Sequence, residues 1–185
     1  MTHCACFPNQ TDGFDLLIKL ATLAISIIAI AFTAISVWLQ RKHNQNAVKP
    51  IANFSISDYE GNISVKICNN GTGPLVIKSF NVTDGKKSKK NLISWMPELP
   101  ENINWFTFFD NLSGFAITPN KNMNLLQLKI DPQDPEQAES RDLVRKSLAK
   151  LTMELTFEDI YGRQMPINKK SLQWYGRHFK KQTEI

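Results

Sequence analysis

The sequence predicts a mainly β protein on a membrane anchor: an N-terminal transmembrane helix, then an antiparallel β-sandwich carrying one surface helix. Three observations predict it. Residues 20–39 contain no charge and no proline, and a helix of about 20 such residues crosses a hydrocarbon core at about 1.5 Å per residue. Beyond residue 50 the apolar pattern changes from helical to alternating, in short runs separated by Gly, Asn, Asp and Pro. One stretch alone, DPQDPEQAESRDLVRKSLAK, interrupts the alternation with helix-start chemistry. The chain of 185 residues then divides into a tail (1–14), a transmembrane helix (15–40), a linker (41–49), a sandwich domain (50–178) and a second tail (179–185), one domain with an appendage being what this length accommodates.

The apolar run reads as an uncleaved anchor. A signal peptide has a basic start and a small-residue cleavage site, whereas Asp12 and Asp15 precede this run and Trp38, Leu39, Gln40 and Arg41 follow it. Only Lys19 flanks it on the N-terminal side, against Arg41, Lys42 and Lys49 beyond it. Retention of positive flanks in the cytoplasm therefore puts the C-terminal bulk inside, with an extracytoplasmic placement as the alternative. Cys4 and Cys6 sit in the tail and Cys68 is alone in the domain, so the domain can form no internal disulfide and a reducing compartment is permitted. Richness in Lys, Ile and Asn suggests an AT-rich bacterial genome. The expected location is thus a bacterial inner membrane, and the six Asn-x-Ser/Thr sequons, at Asn9, Asn53, Asn62, Asn70, Asn81 and Asn111, are discounted.

Within the run, small and polar residues recur at Thr22, Ser26, Ala29, Thr33, Ser36 and Gln40, in steps of four and three, and the stripe extends back through Lys19 and Asp15 as an expected ion pair. Bulky residues such as Ile25, Ile28, Phe32 and Ile35 occupy the far side. Such a face suits close helix–helix approach, with another copy or a membrane partner, while the rest faces lipid. The competing reading is that the hydroxyls bond back to their own helix.

In the soluble part, Ala52, Phe54 and Ile56 alternate with Asn53, Ser55 and Ser57, and Ile63, Val65 and Ile67 with Ser64, Lys66 and Cys68. With Glu60, Gly61 and Asn62 between them, these runs predict a hairpin with one buried face. In NNGTGPLVIKSFNVTDG, Asn69, Asn70 and Gly71 are expected to supply positive φ for a turn, and residues 75–82 a third strand closed by Asp84 and Gly85. The run KICNNGTGPLVIKSFNVTDG resembles the strand-turn-strand signature of bacterial immunoglobulin-like sandwiches. It is similar to CARDB-type adhesion-related domains and to single-pass bacterial membrane proteins that carry one. The resemblance covers residues 53–85 and implies an immunoglobulin-like fold with a non-catalytic interaction role, with no catalytic residues to carry over. It also implies a domain facing outside, against the charge-based orientation.

Further on, Trp95, Trp105, Phe106, Phe108, Phe109 and Phe115 form a dense aromatic supply. They read as sandwich core, with a partner surface built from Trp95, Trp105, Phe106 and Phe109 as the sharper alternative. MNLLQLKI reads as a strand. Asp134 as cap, Pro135 at the first turn and Arg145, Lys146 and Lys150 towards the far end predict the surface helix, with Ala138, Leu143 and Leu148 among its few apolar residues. Leu151, Met153, Leu155 and Phe157 alternate with polar residues, and Tyr161 and Gly162 turn the chain into a strand over residues 164–168.

Chemistry is not evident in this pattern. His3, His43 and His178 all lie outside the expected strands, Pro74 removes a donor where a phosphate loop of Gly71 and Gly73 would need one, and GKKS lacks the preceding glycine. Glu158 and Asp159 point to opposite faces of a strand end, and DPQDPEQ spaces its carboxylates too loosely for calcium. No catalytic residue, cofactor or metal is expected. The net charge of +5 lies largely in the runs Lys86, Lys87, Lys89, Lys90 and Arg177, Lys180, Lys181, which suit a solvated surface or anionic lipid headgroups. Aromatics do not interleave with them, so no nucleic acid is expected. The function expected is a non-enzymatic, membrane-tethered interaction or scaffold protein. The alternative is a membrane effector or immunity protein of a bacterial conflict or phage-defence system.

Overall fold

The structure, a computed structural model, describes residues 11–179. Cys4 and Cys6 in the N-terminal tail, and Lys180 and Lys181 in the C-terminal one, lie outside the described residues. The chain forms two compact units, Met1–Asn46 and Ala47–Ile185.

The first unit is described by the helix α1, Thr11–Ala47, of 37 residues, whose last residue already counts with the second unit. It runs beyond the expected span at both ends and through most of the expected linker, because no proline occurs between Pro8 and Pro50 to stop it. A helix of this length measures roughly 55 Å, well beyond the roughly 30 Å of a hydrocarbon core.

The second unit opens with the hairpin β1 (Ala52–Tyr59) and β2 (Asn62–Asn69), followed by β3 (Leu75–Thr83) and the short β4 (Ser88–Lys89). Then come β5 (Trp105–Phe108), β6 (Ala116–Ile117), β7 (Asn122–Lys129), the helix α2 (Pro135–Leu148), β8 (Thr152–Glu158) and β9 (Asn168–Ser171). A 3₁₀ turn covers Gln173–His178. All pairings are antiparallel, in two sheets ordered β1-β2-β7-β5 and β4-β3-β8-β9, with β6 added to β3. The arrangement is sandwich-like. Val65, Ile67, Leu126 and Leu128 of one sheet share a core with Ile77, Val82, Met153 and Leu155 of the other, and the rings of Phe54 and Phe80 meet across it at 6.4 Å. The chain is nevertheless not mainly β, since helix accounts for 35% and strand for 32%. The difference comes from α1, which is longer than the expected anchor.

Local chemistry accounts for most elements. Asp134 caps α2 by accepting from the Glu136 N–H at 3.0 Å, with Pro135 beginning the helix. Its buried face is Ser140, Val144, Arg145 and Leu148, whereas Leu143 stays exposed. Arg145, expected to complement the helix end in solvent, points inward. The last strand is also displaced from expectation: residue 164 makes only an isolated bridge to Glu158, and continuous pairing resumes at Asn168 opposite Leu155. Pro166, which has no N–H, lies between. Asp159 is buried rather than solvated, and its carboxylate accepts the backbone N–H groups of Tyr161 and Arg163 at 2.9 Å to close the turn.

The NNGTGP turn works differently from the expectation. None of Asn69, Asn70, Gly71 or Gly73 has positive φ. The glycines are required by close approach instead: a Cβ on Gly71 would overlap the backbone of Lys49 to Ile51, and one on Gly73 the carbonyl of Val48. Fully buried Asn69 organises this crossing. Its Oδ1 accepts from Ile51 N (3.3 Å) and Gly71 N (3.0 Å), and its Nδ2 donates to Gly73 O (2.8 Å) and Ile117 O (2.9 Å). Asn70 N donates to Ile51 O and Thr72 N to Lys49 O, and the Thr72 hydroxyl donates to Ala47 O. One side chain thus joins β2, the segment before β1, the turn and β6.

Substituting Gly73→Ala should cost about 3 kcal/mol or more, because backbone rather than a movable side chain fills the space. Asn69→Asp should cost about 2 to 3 kcal/mol by turning two donors towards carbonyls into acceptors. Urea unfolding of the full chain in detergent checks both, with Gly13→Ala, whose added Cβ meets nothing within 4 Å, expected to leave the sandwich transition unchanged.

Candidate functional site

On α1 the stripe from Asp15 and Lys19 through Thr22, Ser26, Ala29, Thr33, Ser36 and Gln40 is exposed along its length. Each hydroxyl donates to the carbonyl four residues earlier: Thr22 to Ile18, Ser26 to Thr22 and Thr33 to Ala29 at 2.8 Å, and Ser36 to Phe32 at 2.9 Å. Their protons are therefore committed within the helix, and towards a neighbour they offer lone pairs and a small cross-section. No ion pair joins Asp15 and Lys19 among the described residues, in keeping with the small gain of an exposed pair. The flanking residues are bulky and open, with Ile25, Ile28 and Phe32 between 66% and 72% exposed. At the other end Lys42 lies over the Trp38 ring at 5.3 Å.

The four aromatic candidates separate. Trp95, Trp105 and Phe109 are partly buried against the core, and Phe109 meets Phe115 edge-on at 5.8 Å. Phe106 faces solvent on β5, at the edge of its sheet, with Lys129 Nζ 3.6 Å from its ring centroid. Phe108 shares that outward face, two residues on along the strand. Trp105 and Phe106 are neighbours on a strand, and that parity already separates them in the sequence.

A cluster the sequence reading missed lies around Asp58, whose side chain is fully buried. Its Oδ1 accepts from Arg145 Nε at 2.8 Å and Nη2 at 2.7 Å. Arg177 Nη1 stands 2.8 Å from Oδ2, a charge contact rather than an aligned hydrogen bond, and His178 Nε2 lies 3.3 Å from the same oxygen. Arg145 also reaches Asp142 at 2.9 Å. Beside it the buried Tyr175 hydroxyl donates to Ser64 O at 2.8 Å and approaches Ser57 O at 3.3 Å. The signal was present: Asp58 continues the inward register of Ala52, Phe54 and Ile56. The cluster ties β1, α2 and the last turn together.

Other groups offer little reactivity. Burial pushes the Cys68 thiol up, only partly offset by Lys66, and a protonated thiol is a poor nucleophile. Among the described residues no group of three or more His, Cys, Asp or Glu side chains is placed to hold a metal ion. Lys86, Lys87, Lys89 and Lys90 are exposed in and beside the β3–β4 turn, whose Asp84 is held below the usual carboxylate range by the N–H groups of Lys87 and Lys86. No protein-family model matches the chain, and no curated protein matches it in sequence.

Replacing Asp58 by Ala should destabilise the domain by about 3 kcal/mol, because Arg145 would be left buried with only the half-exposed Asp142 as partner, whereas Asp58→Leu with Arg145→Met should recover much of that loss. Urea midpoints measure both. The Tyr175 phenol is pushed up from 10.0 by burial and then by the Asp58 charge. Its contribution to stability is thus full below the unfolded value and is lost as pH rises towards the folded one. Between about pH 9 and about pH 11 the wild-type midpoint should fall further than that of Tyr175→Phe.

Proposed function

We propose that this chain is a non-enzymatic, membrane-anchored interaction protein of a bacterial plasma membrane. The carrying observation is α1: a helix long and apolar enough to cross a membrane, with none of its apolar stretch buried. Apolar surface on that scale needs a covering medium, and the lipid bilayer supplies it along the bulky faces. The small-residue face is where a second helix, from another copy or a membrane partner, would approach. Because the hydroxyl protons are already used, association there would rest on packing, with each added interhelical hydrogen bond worth only about 0.6 kcal/mol.

The two antiparallel sheets support reading the second unit as an immunoglobulin-like sandwich, as the NNGTGP resemblance implies. The Lys and Arg bias places it on the cytoplasmic side. Its outward aromatic pair, Phe106 and Phe108 on an edge strand, is the surface offered to a protein partner, and the reading includes no nucleic acid.

Cysteine cross-linking in native membranes tests the mating face, in a background where Cys4 and Cys6 are replaced by Ser. Ala29→Cys should give an adduct with a second copy or one stoichiometric membrane partner, and Ile28→Cys should not. Adding Ser26→Leu with Thr33→Leu should reduce the adduct at least about tenfold by blocking close approach. Equal cross-linking at the two positions, or indifference to the leucines, would refute the face. Collapse of membrane potential on expression would favour the effector alternative instead.

A further inference from the structure

Residues 49–52 and 165–169, distant in sequence, line an open cavity of about 460 Å³ together with Phe157. Every lining residue belongs to the second unit. Phe157 and Met165 form its buried part, and the Asn168 amide donates to Ala52 O at 2.6 Å, tying one wall to the other. Ile51 and Ile167 remain 53% exposed beside it. The charged residues of the lining are Lys49 and Lys169, and it contains no carboxylate; Lys169 also pairs with Glu154 at 2.8 Å.

An apolar slot with ammonium groups at its rim fits an amphipathic anion: apolar next to the floor, negative at the edge. We propose that this cavity docks an anionic phospholipid of the bilayer that α1 crosses. Charge complementarity selects the anion. Chain length selects the lipid: Lys49 lies two residues beyond the end of α1, and the contour from Leu39, where the apolar run ends, is roughly 20 Å. The exposed isoleucines favour the same occupant, because an interfacial setting removes them from water. The proposal rests on α1 being an anchor and is independent of whether its small-residue face mates.

The test reconstitutes the full chain in nanodiscs containing phosphatidylglycerol or phosphatidylcholine that carries a photoreactive group near the headgroup, and maps the labelled peptides. Co-elution with the discs scores insertion separately. Phosphatidylglycerol should label both the 49–52 and the 165–169 segments about tenfold more than phosphatidylcholine does, and Lys49→Gln with Lys169→Gln should remove the difference. Since Lys169 also pairs within the fold, the wild-type chain is labelled at high salt as well, where only the phosphatidylglycerol signal should fall. Labelling confined to α1, equal labelling by the two lipids, or a phosphatidylglycerol signal insensitive to salt would overturn the proposal.

Discussion

The sandwich-like unit is organised around one amide. Asn69 has no exposure to solvent, and a buried carboxamide is tolerated only when its donors and acceptor are used. Here both donors and the oxygen are engaged, and the four partners come from three parts of the chain: residue 51 before β1, the turn at Gly71 and Gly73, and Ile117 in β6. Its backbone adds two more ties, donating to Lys121 O and accepting from Asn120 N. Asn120 is the one described non-glycine residue with positive φ. The route by which the chain enters the sandwich, the crossing from β2 to β3 and the approach to β7 are therefore all fixed at one point. An apolar residue there would supply none of these bonds and leave several backbone groups without partners.

A second tie acts at the opposite end of β1. Asp58 gathers Arg145 from α2 and Arg177 from the last turn, and Tyr175 seals the space beneath by donating to the β2 backbone. Such an ionic cluster contributes less to net stability than its short distances suggest, because Asp58 and Arg145 at its centre are taken out of water. It does define where α2 and the 3₁₀ turn sit, since neither belongs to a sheet ladder that would set its register.

The parts of this fold legible in the sequence are those governed by local periodicity and capping. β1, β2, β3, β7, β8 and α2 all follow from alternation or from Asp134 and Pro135. What escaped depends on pairing at a distance. The glycines of NNGTGP suggested a turn needing positive φ, whereas their role is to admit another stretch of backbone, which no local pattern records. Arg145 looked like a solvated helix-end charge until its acid, 87 positions away, was placed opposite. Among the aromatics, strand parity separates Trp105 from Phe106, but the edge position of β5 is a property of the whole sheet. On α1 the stripe was legible; the commitment of its hydroxyl protons to the helix's own carbonyls was one of two readings the sequence left open.

The close fit of Gly71 and Gly73 around residues 48–51 also changes where the domain begins. β1 starts at Ala52, yet the backbone that fills the glycine slot precedes it, starting with Ala47 under the Thr72 hydroxyl. The segment before β1 is thus an internal part of the sandwich, and a fragment cut at Pro50 would lose the Val48 and Lys49 backbone that lies against Gly73 and Gly71. Variation in the length of this connection has no room between Ala47 and Ile51, where the backbone already meets the turn at Gly71 to Gly73.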